Sequence, residues 1–132
     1  MNKYSLSFLL FWLFSLEQAS AISNTVEIDR SQDPSGAPLT TLRINDHLGR
    51  ALARHQDVQV QLYEQIPDWF PYLVVEEGTG GSGCCITHYF YDKRGDFKNP
   101  AVMSNSSVFL RIMKNGDGFF VYSATGQSVV LK

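Results

Sequence analysis

Cysteine is nearly absent: the chain has two, Cys84 and Cys85, and they are adjacent. That excludes the disulfide framework on which many small secreted scaffolds depend. Charge bias is missing too. Eleven Lys and Arg stand against 13 Asp and Glu, a formal net charge of −2. With that balance and no basic run, nucleic acid is excluded as the main partner. Beyond Ala21 no apolar stretch approaches the ~20 residues of a bilayer-spanning helix, so no membrane anchor is expected. No cysteine near Ala21 offers a site for a lipid anchor. Neither a repeat of solenoid length nor a low-complexity linker is present.

What is there begins with the first 21 residues. Lys3 supplies a positive start, Leu6 to Leu16 is apolar apart from serines, and Ala19-Ser20-Ala21 has the small-x-small pattern of a cleavage site. In that order these features predict a cleavable signal peptide over residues 1–21. The expected mature chain, residues 22–132, is a single β-rich domain of ordinary size. Export places it in the periplasm or outside the cell, where thiols tend to be oxidised.

The mature region reads as strands separated by turns. Val26 and Ile28 alternate with charged neighbours before the turn signal Asp33-Pro34-Ser35-Gly36. Leu39 to Ile44 reads as a strand with Leu42 and Ile44 on one side. Asn45 to Gly49 is expected to turn a hairpin, although Asp46 has the chemistry to cap a short helix. Val58 to Tyr63 alternates as a half-buried strand does. Pro67 and Pro71 exclude helix around Trp69. Tyr72 to Val75 and Ile86 to Tyr91 read as strands around a loop from Glu76 to Gly83. Val108 to Met113 is joined through Asn115-Gly116-Asp117-Gly118 to Phe119–Tyr122, a strong hairpin signal. A turn at Thr125-Gly126 leads to Val129–Leu131. The expected fold is mainly β, a small antiparallel sandwich or open barrel of about seven to nine short strands.

One segment stands out. Gly80, Gly81, Ser82, Gly83, Cys84 and Cys85 lie between the strand ending near Val75 and the aromatic strand that holds His88. This pattern resembles a Gly-Gly-Ser/Ala-x-Cys-Cys motif of uncharacterised exported bacterial β-rich proteins. The resemblance implies location and fold, and no reaction.

The physics of the segment leaves several states open. Adjacent Cα atoms lie about 3.8 Å apart, short of the roughly 4.4–6.8 Å of ordinary disulfides. A Cys84–Cys85 bond is therefore strained and readily reduced. The alternatives are two free or separately packed thiols, or a bond between chains. Cys84, Cys85 and His88 also suggest zinc or copper, completed by His47 or His55, but zinc sites usually separate their cysteines by two to four residues. A Cys84–His88 nucleophile pair on a straight strand spans about 13 Å, well outside hydrogen-bond reach.

Other candidates have plain readings. Glu76 and Glu77 point opposite ways and read as a solvated strand end. His88 reads as an ordinary strand histidine. Trp69, Phe70 and Tyr72 read as core. Arg94-Gly95-Asp96 matches an adhesion tripeptide but reads as a polar turn. Asn105-Ser106-Ser107 fits a glycosylation acceptor only if a eukaryotic cell makes the chain.

No catalytic constellation falls at credible spacing, and no cofactor or metal is expected. The function read from the sequence is a non-enzymatic exported module that binds a partner protein or an envelope component, with Gly80–Cys85 and His88 as candidate contacts. The alternatives are a redox or metal-handling protein using the two cysteines and, last, a small hydrolase.

Overall fold

The computed structural model describes residues 24–78 and 85–132. Among them are ten strands and no helix: β1 (Thr25–Gln32), β2 (Pro38–Asn45), β3 (Ala51–Asp57), β4 (Val60–Leu62), β5 (Tyr72–Glu77), β6 (Ile86–Asp92), β7 (Ala101–Ser106), β8 (Leu110–Asn115), β9 (Gly118–Ser123) and β10 (Ser128–Leu131). They form three antiparallel sheets, β1-β2-β3, β4-β5-β6-β7 and β10-β9-β8. The fold is an open, layered β structure. It has one strand more than the largest number expected.

Turn chemistry sets the hairpins. Asp33 Oδ1 accepts from the main-chain N–H groups of Ser35 and Ala37, each at 2.9 Å, and Gly36 has φ 86°. Asp46 repeats the device: its Oδ1 accepts from Leu48 and Arg50 N–H at 2.9 Å, and Gly49 has φ 81°. An Asp that takes over two main-chain donors favours a turn over a helix start, so the hairpin reading of Asn45 to Gly49 holds. At Asn115–Gly118 only Gly116 carries a positive φ, 60°. Gly118 is needed for a different reason. A Cβ there would lie 2.3 Å from the Leu131 carbonyl oxygen, so β10 would have to move.

The central sheet is buried on both sides. Tyr72, Val74 and Phe90 face Val121 and Leu131 of the β8–β10 sheet. Leu73, Val75, Tyr89 and Tyr91 face Leu42 and Ile44 of β2. This is why Tyr72 to Val75 is an unbroken apolar run: both faces of β5 need apolar side chains. Each fully buried Leu, Val or Phe contributes about 1.5–3 kcal/mol relative to exposure.

Several boundaries differ from the sequence reading. The expected strand Val58–Tyr63 begins only at Val60, because the chain turns after Asp57 and leaves Val58 exposed. β3 precedes it, and β2 recruits its weak formers Ala51–Arg54 by pairing. β5 runs on through Glu76 and Glu77, which were expected in a loop. β7 has no counterpart in the expected strands. β8 starts at Leu110 and leaves Val108 and Phe109 outside the sheet.

Candidate functional site

Glu76 and Glu77 leave β5 on opposite faces, and each meets a histidine. On the face toward β8–β10, His88 Nε2 lies 3.0 Å from Glu76 Oε2, and His88 Nδ1 lies 2.9 Å from Ser106 Oγ. His88 and Ser106 are fully buried and Glu76 nearly so. Gln61, directly across from Glu76, donates from Nε2 to Glu76 Oε1 at 2.8 Å. The expectation of a solvated Glu76 and an ordinary strand His88 is thus corrected. The register places Glu76 opposite His88, and pairing to each other is what makes their burial tolerable.

With Glu76 as the carboxylate, His88 Nε2 carries the proton and donates to it. In the neutral ring Nδ1 is then an acceptor and receives a hydrogen bond from the Ser106 hydroxyl at 2.9 Å, closer than that hydroxyl's other acceptor, Ser107 O at 3.3 Å. Burial pushes the His88 pKa down from 6.5, and Glu76 opposes that only in part. The order Ser–His–Glu is that of a hydrolytic triad, but Ser106 has no exposed surface from which to attack a substrate. The small-hydrolase reading draws no support from it.

The second pair lies on the other face. His55 Nδ1 lies 3.5 Å from Glu77 Oε2, while His55 Nε2 bonds the Tyr91 hydroxyl. Tyr89 packs against the ring at 4.6 Å between centroids. Burial again lowers the His55 pKa, with Glu77 opposing. Burial, then the neighbouring Tyr89 and Glu77, pushes the Tyr91 hydroxyl up to about 12.

Outside the first network lies an open groove of about 480 Å³. It wraps the free edge of β4. Gln61, Tyr63 and Glu76 line it on one face, and Leu62 with Ile28 and Arg30 of β1 line it on the other. Val108 and Phe109 form a wall and Glu64 and Gln65 an end. Ile28 is 47% exposed and Phe109 67%. The wall is held in place: Tyr63 Oη accepts from Leu110 N at 3.0 Å, and Ser107 Oγ donates to Phe109 O at 3.0 Å and accepts from Ala124 N at 3.2 Å.

The residues singled out from sequence fall elsewhere. Gly80, Gly81, Ser82, Gly83 and Cys84 lie outside the described residues. Cys85 is exposed and holds φ 72°. His88 is buried beneath the groove and does not reach its surface. Among the described residues no group of three or more His, Cys, Asp or Glu is placed to hold a metal ion. Phe70 and Tyr72 are core as expected. Trp69 is 42% exposed, stacked on Phe119 with Lys114 Nζ 4.8 Å from its ring centre. Arg94-Gly95-Asp96 lies in the β6–β7 turn, where Arg94 bonds Asp92, the Tyr72 hydroxyl and the Lys132 carbonyl. Sequence reasoning missed Gln61, Ser106 and the exposed Ile28, Val108 and Phe109. The two apolar residues before β8 were the one available signal.

In comparisons with family models, curated proteins and solved structures, nothing matches this chain.

Proposed function

We propose that the protein is exported, with residues 1–21 removed, and acts outside the cytoplasm as a non-enzymatic binding module for a partner protein or an envelope component. Its binding face is the groove at the β4 edge. The observation that carries this reading is Phe109, a large apolar side chain two-thirds exposed on a segment fixed by hydrogen bonds. Exposed apolar side chains clustered about a groove mark interaction sites. The buried Glu76–His88–Ser106 chain supports the scaffold beneath it.

Near the same end of β5 and β6, the Gly80–Cys85 turn is proposed to be closed by a Cys84–Cys85 bond. The positive φ of Cys85 supports a tight, fixed turn.

Placing a photo-crosslinking phenylalanine analogue at position 109 tests the reading in the producing cell. The expected result is an adduct in the extracytoplasmic fraction, on protein that begins at Ile22. Intact Met1 in that fraction overturns export. Crosslinking from position 130, on a different sheet, but not from 109 overturns the groove.

A further inference from the structure

β4 hydrogen-bonds to β5 through its odd-numbered positions. Gly78 N donates to Gln59 O at 3.2 Å, and Tyr63 N donates to Val74 O at 2.9 Å. Gln61 lies between them, opposite Glu76. In an antiparallel ladder the N–H and C=O of one residue point to the same side, and successive residues alternate. Val60, Leu62 and Glu64 therefore direct their main-chain groups away from β5. β4 is the outer strand of its sheet, so among the described residues Leu62 has no ladder partner on that side. Glu64 O accepts from Ile66 N at 2.9 Å, which leaves the Glu64 N–H facing outward.

These groups open on the groove, since Leu62 and Glu64 both line it. The groove also has walls on both faces of the sheet plane. Ile28 and Leu62 offer an apolar surface on one, and Gln61, Tyr63, Val108 and Phe109 the other. An unprotected edge is ordinarily a liability. Here it sits at the bottom of a channel whose two sides match the two-sided spacing of side chains along a strand.

Charge narrows the occupant. Glu76 is buried beside the groove, and among the described residues its one ion-pairing partner is His88, a ring that burial keeps toward its neutral form. Glu64 adds a second carboxylate at the groove end, whereas Arg30 is on the Ile28 side.

The geometry points to strand addition: an extended segment of a partner protein lies along the outer edge of β4. It exchanges main-chain hydrogen bonds with Leu62 and Glu64, sets apolar side chains against Ile28 and Leu62, and sets a basic side chain toward Glu76. Main-chain pairing supplies affinity in this mode, and the alternate side chains supply selectivity. The inference rests on the groove being the binding face.

Peptide titrations of the purified full chain, followed by NMR, separate the two claims. The probes are acetyl-Val-Lys-Val-Lys-Val-amide, two versions N-methylated on either the valine or the lysine amides, and the Val-Glu-Val-Glu-Val counterpart. The parent peptide is expected to shift the Leu62 and Glu64 amide signals and to slow their hydrogen exchange. One of the two methylated versions should bind at least ~10-fold more weakly and the other should not, because an added strand presents alternate amides to the edge. The acidic peptide should also lose ~10-fold or more. Equal binding by both methylated versions, or unchanged exchange at Leu62, overturns strand addition while leaving the groove as a binding face. Phe109 is two-thirds exposed, so Phe109→Ala is expected to keep the fold, and it should weaken every probe. Binding that ignores this change overturns the groove itself. Protection of Leu62 that grows with protein concentration alone places a second copy on the edge and overturns the partner assignment. No binding at millimolar peptide overturns the inference outright.

Discussion

Glu76 and His88 sit directly across from one another on β5 and β6, and their side chains meet at 3.0 Å with almost no contact with solvent. An imidazole in that position is held neutral by burial more than it is charged by its carboxylate neighbour. His55, on the other face, is in the same condition.

Acid sensitivity follows. Both histidines have folded-state pKa values below 6.5. As pH falls through 6.5, the unfolded chain takes up protons that the folded chain does not. Stability should therefore be level above about pH 7 and decline below about pH 6.5, until the folded-state values are reached. Urea midpoints measured from pH 8 to pH 5 check this. His88→Gln should shallow the decline, and a midpoint that rises on acidification would falsify the account.

Ser106→Ala should destabilise the domain by about 1–3 kcal/mol, since it leaves His88 Nδ1 buried without a donor. Thermal or urea unfolding at pH 8 measures it. A loss within experimental error would mean that a buried water takes the place of the hydroxyl.

The two glycines of the β8–β9 hairpin should respond unequally. Gly116→Ala meets open space at φ 60° and carries only the backbone penalty, about 1 kcal/mol. Gly118→Ala drives a methyl group into the Leu131 carbonyl and should cost about 3 kcal/mol. Chemical denaturation of the two variants gives the order, and the reverse order would contradict the packing of β9 against β10.

Arg94-Gly95-Asp96 should behave as structure. Asp96→Glu should leave stability within about 0.5 kcal/mol of the parent, because Asp96 is exposed and makes only local contacts to Lys98, a 3.1 Å bond from its main-chain N–H and a long 3.8 Å ion pair. Arg94→Ala should loosen the turn by removing its bonds to Asp92 and Lys132. Cell attachment to coated surfaces that is lost on Asp96→Glu would favour the adhesion reading instead.

For the glycine-cysteine turn, non-reduced protein is expected to run as a monomer with no alkylatable thiol. Mild reductant should expose two thiols before unfolding, because a bond between neighbours closes almost no chain. Mass spectrometry after alkylation reads the count. Two thiols alkylated without reductant, or a linked dimer, would discard the Cys84–Cys85 bond.

Much of the scaffold was legible because its signals are local. Asp33, Asp46 and Gly116 each dictate a turn within four residues, and the alternation of Leu42 with Ile44 needs no distant information. β7 was hidden because Ala101–Ser106 turns only Ala101 and Met103 inward as apolar residues, and its other half is Ser104, Asn105 and Ser106. The buried network was hidden for another reason. Gln61, Glu76, His88 and Ser106 come from four strands, and only the sheet register brings them together. The groove depends on Ile28 emerging past the end of the core and on Phe109 falling just outside β8. Neither is written in a period of two.

The placement of Glu76 and Glu77 bears on how β5 finds its alignment. A strand with apolar side chains on both faces has little to stop it sliding by one residue, since either side accepts Val or Leu. The two carboxylates remove that freedom. A shift in one direction brings Glu77 under His88 and leaves His55 facing Gly78. A shift in the other brings Glu76 to His55 and leaves His88 facing Val75. Either way one interior imidazole loses its carboxylate, so a pair of adjacent acidic residues acts as a two-sided ratchet stop for the strand at the centre of the molecule.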